Sequence, residues 1–284
     1  MCRAAPWFAR ADFLKRRAVD DVVERLATIN RDFPTAIELG ARNGQLSTAL
    51  RESGRPGQIG CLIEASLSSA MLARPGGARV VADEEYLPFR DGCADLVVST
   101  LELHWVNDLV GALIQIRCTL KPDGLFLGAL LGGATLNELR QALTEADLEQ
   151  TGGAGPRVSP FIDPSDAGDL MRRAGFALPV IDVDRVNVRY AHPLDLLSDL
   201  RAMGETNALF ERSRAPLSRS LLARAGEIYL ERFADPDGRA PATFEIIGLT
   251  GWAPHPDQPV PLKRGSATSR LDEALAQVRR RSDG

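Results

Sequence analysis

What most constrains the fold is a recurrence: short, nearly continuous apolar runs, each separated from the next by a helical or turn-forming segment. The runs are TAIELG, IGCLIEAS, ARVVADEE, ADLVVST and GLFLGALL, in chain order. QLSTALRES, SSAMLARP and a stretch over about 107–120 read as helices between them. Residues 11–30 precede the series, with Phe13, Leu14, Val19, Val22, Val23 and Leu26 on one helical stripe. A strand without a polar face must be covered on both sides, and helices that cross over between parallel strands supply that cover. The pattern predicts a doubly wound α/β domain on a mostly parallel sheet.

The second half changes character. A helix over about 134–149 leads into the glycine-rich TGGAGP, DPSDAGDLMRRAGF reads as a helix stopped by Gly175, and ALPVIDVDRVNVRY alternates as a strand does. Residues 192–234 are mainly helical, punctuated by Gly204 and Pro216, before a late strand in TFEIIGLTGWAP. That strand needs the first sheet as its partner, so 192–240 is expected to be a helical insertion that lids the sheet. Residues 1–262 are then one domain, and 263–284 a basic C-terminal tail.

Composition narrows the function classes. With 44% apolar residues and a net charge of -4 over 284 residues, the chain is neither disordered overall nor suited to coating nucleic acid. The longest apolar stretch, LFLGALLGG, is too short to cross a bilayer, and the start MCRAAPWFARADFLKRR has no secretory pattern, which makes a cytoplasmic protein the expectation. The cysteines are sparse, and Cys61 and Cys118 are expected as buried thiols. No HxH, HExxH or CxxC arrangement is present, so no metal site is expected, and no GxSxG elbow supports serine hydrolysis.

The chemistry-bearing residues sit where the predicted strands end. ELGARNG closes strand one, so Gly40 and Gly44 let the chain turn closely beneath a ligand. Glu64 follows strand two, where a carboxylate accepts both hydroxyls of a ribose, and Asp83 follows strand three, where it accepts an exocyclic amine. Glu38 organises the turn or accepts a bond from a cofactor amine. Read singly, these are solvated loop acids; their repeated placement favours a nucleoside site. On these grounds the cofactor is either a nicotinamide nucleotide or an adenosyl sulfonium compound, and GARNG, lacking the three-glycine turn of a pyrophosphate site, favours the second.

With ELGARNG, LIEAS, ADEEYLPF, ADLVVSTLELHWVND and LKPDGLF in this order, the sequence resembles the class I methyltransferases that use S-adenosyl-L-methionine. LHWVND and the late PATFEIIGLTGWAPH extend the resemblance to one branch, which holds the malonyl-carrier methyltransferases of biotin synthesis and an arginine-hydroxylating assembly factor of respiratory complex I. The resemblance implies a seven-stranded sheet with an antiparallel last strand. It places Glu38, Gly40 and Gly44 at the methionine side of S-adenosyl-L-methionine, Glu64 at its ribose, and Asp83 with Glu84 at the adenine edge. Ser99 is counted with this cofactor set. Arg42 stands where the family has its middle glycine, so its side chain must point away from the cofactor or reshape the pocket.

His104, Trp105 and Asn107 fall after strand four, at the sheet end where an acceptor approaches. His104 is a candidate to accept a proton or orient the acceptor, Trp105 to pack the pocket wall, and Asn107 to cap a helix. The expected function is methyl transfer from S-adenosyl-L-methionine to a small-molecule, carrier-bound or protein acceptor. The alternatives are a respiratory-complex assembly factor or protein arginine hydroxylase, with a respiratory subunit as partner, and a non-catalytic binding module. No nucleic-acid partner and no transmembrane segment are expected.

Overall fold

The computed structural model describes residues 4–53, 55, 57–212 and 217–258. They fall into two compact units, Met1–Pro254 and His255–Gly284. In the second, the described residues make a turn in which Gln258 N donates to His255 O at 3.1 Å; the basic stretch expected over 263–284 lies outside the described residues.

The first unit carries a single seven-stranded sheet. Its strands are β1 (Phe33–Leu39), β2 (Ile59–Ser66), β3 (Ala78–Val81), β4 (Ala94–Thr100), β5 (Leu120–Leu131), β6 (Ala177–Tyr190) and β7 (Ala240–Trp252), in the spatial order β3-β2-β1-β4-β5-β7-β6. The first five pair in parallel, while β7 runs antiparallel to both β5 and β6. The helices are α1 (Phe13–Thr28), α2 (Gln45–Glu52), α3 (Leu109–Thr119), α4 (Asn137–Thr151), α5 (Pro164–Arg173), α6 (Pro193–Met203) and α7 (Arg219–Phe233).

The sheet is covered on both faces because its central strands bury both of theirs. Leu96 and Val98 of β4 pack with Val19, Val22 and Leu26 of α1 and with Leu46 of α2. Val97, between them, packs with Leu113 and Ile116 of α3 and Met171 of α5. A third apolar cluster lies beyond these two, where α4, α6 and α7 meet Tyr190, Phe244 and Ile246. Helices α6 and α7 occupy the connection between β6 and β7.

Three expectations change. SSAMLARP forms turns rather than a helix, with Met71 N donating to Ser68 O and Leu72 N to Ser69 O. A nucleus this short, stopped by Pro75 and two glycines, does not propagate. Cys118, in the last turn of α3, is half-buried rather than fully buried. Cys61 is exposed rather than buried, because the first half of β2 is not covered as its second half is.

Candidate cofactor and acceptor site

Strand order reverses between β1 and β4, and the crevice outside their carboxyl ends is where open α/β sheets bind ligands. Register sets the side chains there. Glu38 pairs with Glu64, placing two carboxylates on neighbouring strands, and Leu39 pairs with Ser99. Glu38 is fully buried, and neither of its oxygens accepts a hydrogen bond among the described residues. Burial pushes its pKa up, against the pull of Lys15 and Arg74. The Ser99 and Thr100 hydroxyls are likewise buried without a partner among the described residues.

Beneath this point lies a buried cation that the sequence reading missed. Lys15 Nζ donates to Gly40 O at 2.9 Å and to Thr100 O at 2.7 Å, and stands 3.8 Å from Glu38 Oε1. It ties α1 to the ends of β1 and β4. Burial lowers its pKa to about 8, although Glu38 works in the opposite direction. The available signal was its position beside Leu14 and on the buried stripe of α1, where a lysine needs a partner.

Gly40 and Gly44 both have positive φ, at 73° and 66°. A Cβ on Gly40 would lie 2.5 Å from Glu102 Cβ, and one on Gly44 would collide with the guanidinium of Arg74. Arg74 pairs with Glu64, which also accepts from Arg79 Nε at 3.1 Å. The acid expected at a ribose is therefore engaged by two guanidinium groups in this structure.

Past β3, Asp83 Oδ1 accepts from Glu85 N at 2.9 Å. Glu84 is buried, and burial, reinforced by Glu102, pushes its carboxyl up to about 7. Asp83, Glu84, Glu85 and Glu102, with Leu67 and Trp105, line a cavity of about 280 Å³.

The acceptor side is built by a short helical turn, Leu103–Trp105, after Leu101, whose φ of 53° is strained for a non-glycine residue. His104 Nε2 lies 3.0 Å from Glu205 Oε2, and His104 Nδ1 is buried without a partner among the described residues. Trp105 lines both the acidic cavity and a second chamber of about 230 Å³, whose floor includes Leu131, Leu139, Leu143 and Phe244. Asn107 is not the helix cap. Asp108 is, its Oδ1 accepting from Gly111 N at 2.8 Å, while Asn107 donates through N and Nδ2 to Glu85. Arg42 turns its side chain into a buried nest, donating to Glu102 Oε2 at 2.7 Å, Leu101 O at 3.2 Å and Met203 O at 3.1 Å.

Residues 37–128 match the methyltransferase domain family. The chain is 40% identical over 260 residues to the arginine-hydroxylase NDUFAF5, mitochondrial, of Danio rerio, spanning 91% of this chain and 81% of that protein. It is 35% identical over 247 residues to the malonyl-[acyl-carrier protein] O-methyltransferase of Halorhodospira halophila, spanning 84% of this chain and 81% of that protein. The chain belongs to the class I S-adenosyl-L-methionine-dependent methyltransferase family. A putative methyltransferase from Bacillus halodurans shares the fold with a TM-score of 0.57 at 12% identity, covering 83% of this chain and 99% of that one.

S-adenosyl-L-methionine is the cofactor of this methyltransferase, and the residues present fit it. An ammonium group would satisfy the Glu38 carboxylate that no hydrogen bond reaches, and polar ligand atoms would satisfy Ser99 Oγ and Thr100 Oγ1. Gly40 and Gly44 carry no side chain of their own at the turn, where Glu102 and Arg74 now pack. A ribose hydroxyl would reach Glu64 only if Arg74 released one of its oxygens. The other residues missed by sequence reading are Glu102 and Glu205, which meet Arg42 from separate parts of the chain.

Proposed function

We propose that this methyltransferase acts on an acceptor with an apolar body and a neutral or anionic end, bound in the chamber beside Trp105. The observation that carries this reading is how the chamber's charges are committed. Glu205 is engaged by Arg42 and His104, and Arg157 is engaged by Asp147 through paired bonds of 2.8 Å. Arg201 and Arg212 stand at the same chamber, and neither pairs with an acid among the described residues. A small metabolite or a carrier-bound acid meets such a lining more cheaply than a guanidinium does.

In this reading, Glu38, Gly40, Gly44 and Ser99 hold the methionine end of the cofactor, Glu64 the ribose, and Asp83 with Glu84 the adenine edge. Bound S-adenosyl-L-methionine supplies an electrophilic methyl on a sulfonium, so the protein's main tasks are alignment and exclusion of water. Trp105 and Phe161 wall off the chamber, and His104 orients the acceptor. The helices between β6 and β7 act as its lid, within the Met1–Pro254 unit. A cytoplasmic location belongs to the same proposal, supported by Cys61, Cys93 and Cys118 being free thiols.

A second reading, hydroxylation of a protein arginine on a respiratory subunit, is favoured by the higher identity to the Danio rerio relative, 40% against 35%. One experiment separates the two. The protein is incubated in air, with a two-electron reductant to support oxygen insertion from dioxygen, with methyl-labelled S-adenosyl-L-methionine and either a malonyl thioester of acyl carrier protein or an arginine peptide, and the products are weighed by mass spectrometry. Methyl gain on the thioester supports the first reading; oxygen gain on the peptide, with no methyl transfer to either, overturns it.

A further inference from the structure

Arg42, Glu102, Glu205 and His104 form one buried chain of polar contacts across the active cleft. Gly40, having no side chain, leaves room for Glu102, whose Cβ lies 2.5 Å from where a Gly40 Cβ would stand. Glu102 then receives Arg42 through Nε at 3.1 Å and Nη2 at 2.7 Å. The same guanidinium reaches Met203 O at 3.1 Å and Glu205 Oε1 at 3.5 Å, while the other Glu205 oxygen meets His104 Nε2 at 3.0 Å. Arg42 is 2% exposed and lies 5.5 Å from the Phe8 ring centroid, so water does not screen these contacts.

Glu205 is held from its backbone as well. Gly204 closes α6 with φ of 83°, and Glu205 N donates to Leu200 O at 2.8 Å. Its position matters because the cavities meet there. Gly204 and Thr206 line the acidic cavity, and Glu205 and Thr206 line the apolar chamber. Burial alone would raise the Glu205 carboxyl, yet His104 and Arg42 hold it below the usual carboxylate value. A carboxylate only accepts, so His104 Nε2 carries the hydrogen between them.

We propose that Glu205 is a positioning residue of the transfer site, clamping the wall shared by the cofactor cleft and the acceptor chamber to Arg42 on one side and His104 on the other. In this arrangement the arginine at the family's middle-glycine position couples the cofactor turn to the acceptor wall, and loosening either contact disturbs both cavities. The proposal rests on the reading of this cleft as the S-adenosyl-L-methionine site.

The test uses the full chain and S-adenosyl-L-homocysteine as probe. In Glu205→Leu, which keeps neither acceptor oxygen, amide hydrogen exchange over 204–208 rises about tenfold or more, the scale set by losing a charge-assisted hydrogen bond, while exchange in β1, β4 and β5 is unchanged. Dissociation of the probe quickens by a comparable factor, and the ring nitrogen-15 signals of His104 lose their hydrogen-bonded Nε2 signature. Arg42→Met gives the same loosening, and the double variant is no worse than either single one. Unchanged exchange over 204–208, additive effects, or an unchanged dissociation rate in the loosened variant each overturn the proposal. Failure of the wild type to bind the probe overturns the cofactor reading instead, because the exchange and nitrogen-15 measurements need no ligand.

Discussion

Glu84 carries a pH dependence that a solvated glutamate would not. Its folded-state pKa of about 7 lies above the ordinary carboxylate value, so the folded protein holds this proton more tightly than the unfolded chain does. The stability it contributes is fully present below the ordinary value and is lost as pH rises through about 7. The upward shift corresponds to about 3 kcal/mol. Glu84→Gln cannot ionise, so its stability relative to wild type should improve between about pH 5 and about pH 8, as urea unfolding at each pH would show. A parallel profile for the two proteins would mean that Glu84 is not held protonated. Glu64 gives a second residue-scale expectation. With Glu64 as the proposed acceptor for the ribose hydroxyls, Glu64→Ala should weaken S-adenosyl-L-homocysteine binding by about tenfold or more in isothermal titration, with the fold intact.

Among the elements, α3 separates two residues that look alike in sequence. Asp108 is its N-cap and Asn107 is committed to Glu85. Asp108→Ala should cost about 1 kcal/mol in urea unfolding. Asn107→Ala should cost less, because Glu85 keeps the backbone N–H of both Asn107 and Asp108. The strands were legible because β4 and β5 are apolar on consecutive residues, a pattern that a two-sided core produces directly. The SSAMLARP turns were not legible, since a short segment follows its tertiary surroundings more than its propensity. The acids Glu38 and Glu64 could be placed from strand ends alone, and the pairing register of β1 with β2 then brings them side by side. The Arg42–Glu205 contact could not be placed this way, for it spans 163 positions and depends on how α6 ends. Lys15 was hidden for a related reason: its acceptors are the carbonyls of Gly40 and Thr100, which no side-chain motif announces.

Across the Met1–Pro254 unit, the three larger apolar clusters divide the work. Two lie against the sheet faces and fix the strand ends that carry the cofactor residues. The third is made by α4, α6 and α7 with the ends of β6 and β7, and the chamber proposed for the acceptor is cut into it. Filling that chamber should therefore separate acceptor binding from cofactor binding. Val158 suits the purpose because it lines the chamber from a loop, is only half-buried, and contributes to no strand of the sheet. Val158→Trp should reduce methyl transfer to the acceptor by about tenfold or more, since a blocked near-attack geometry is lost from the rate directly. S-adenosyl-L-homocysteine affinity, measured by isothermal titration on the same preparation, should stay within about twofold, because Val158 lines the chamber and not the acidic cavity. Weakened cofactor binding together with slowed transfer would show that the third cluster also supports the cleft. Unchanged transfer would place the acceptor outside the chamber altogether.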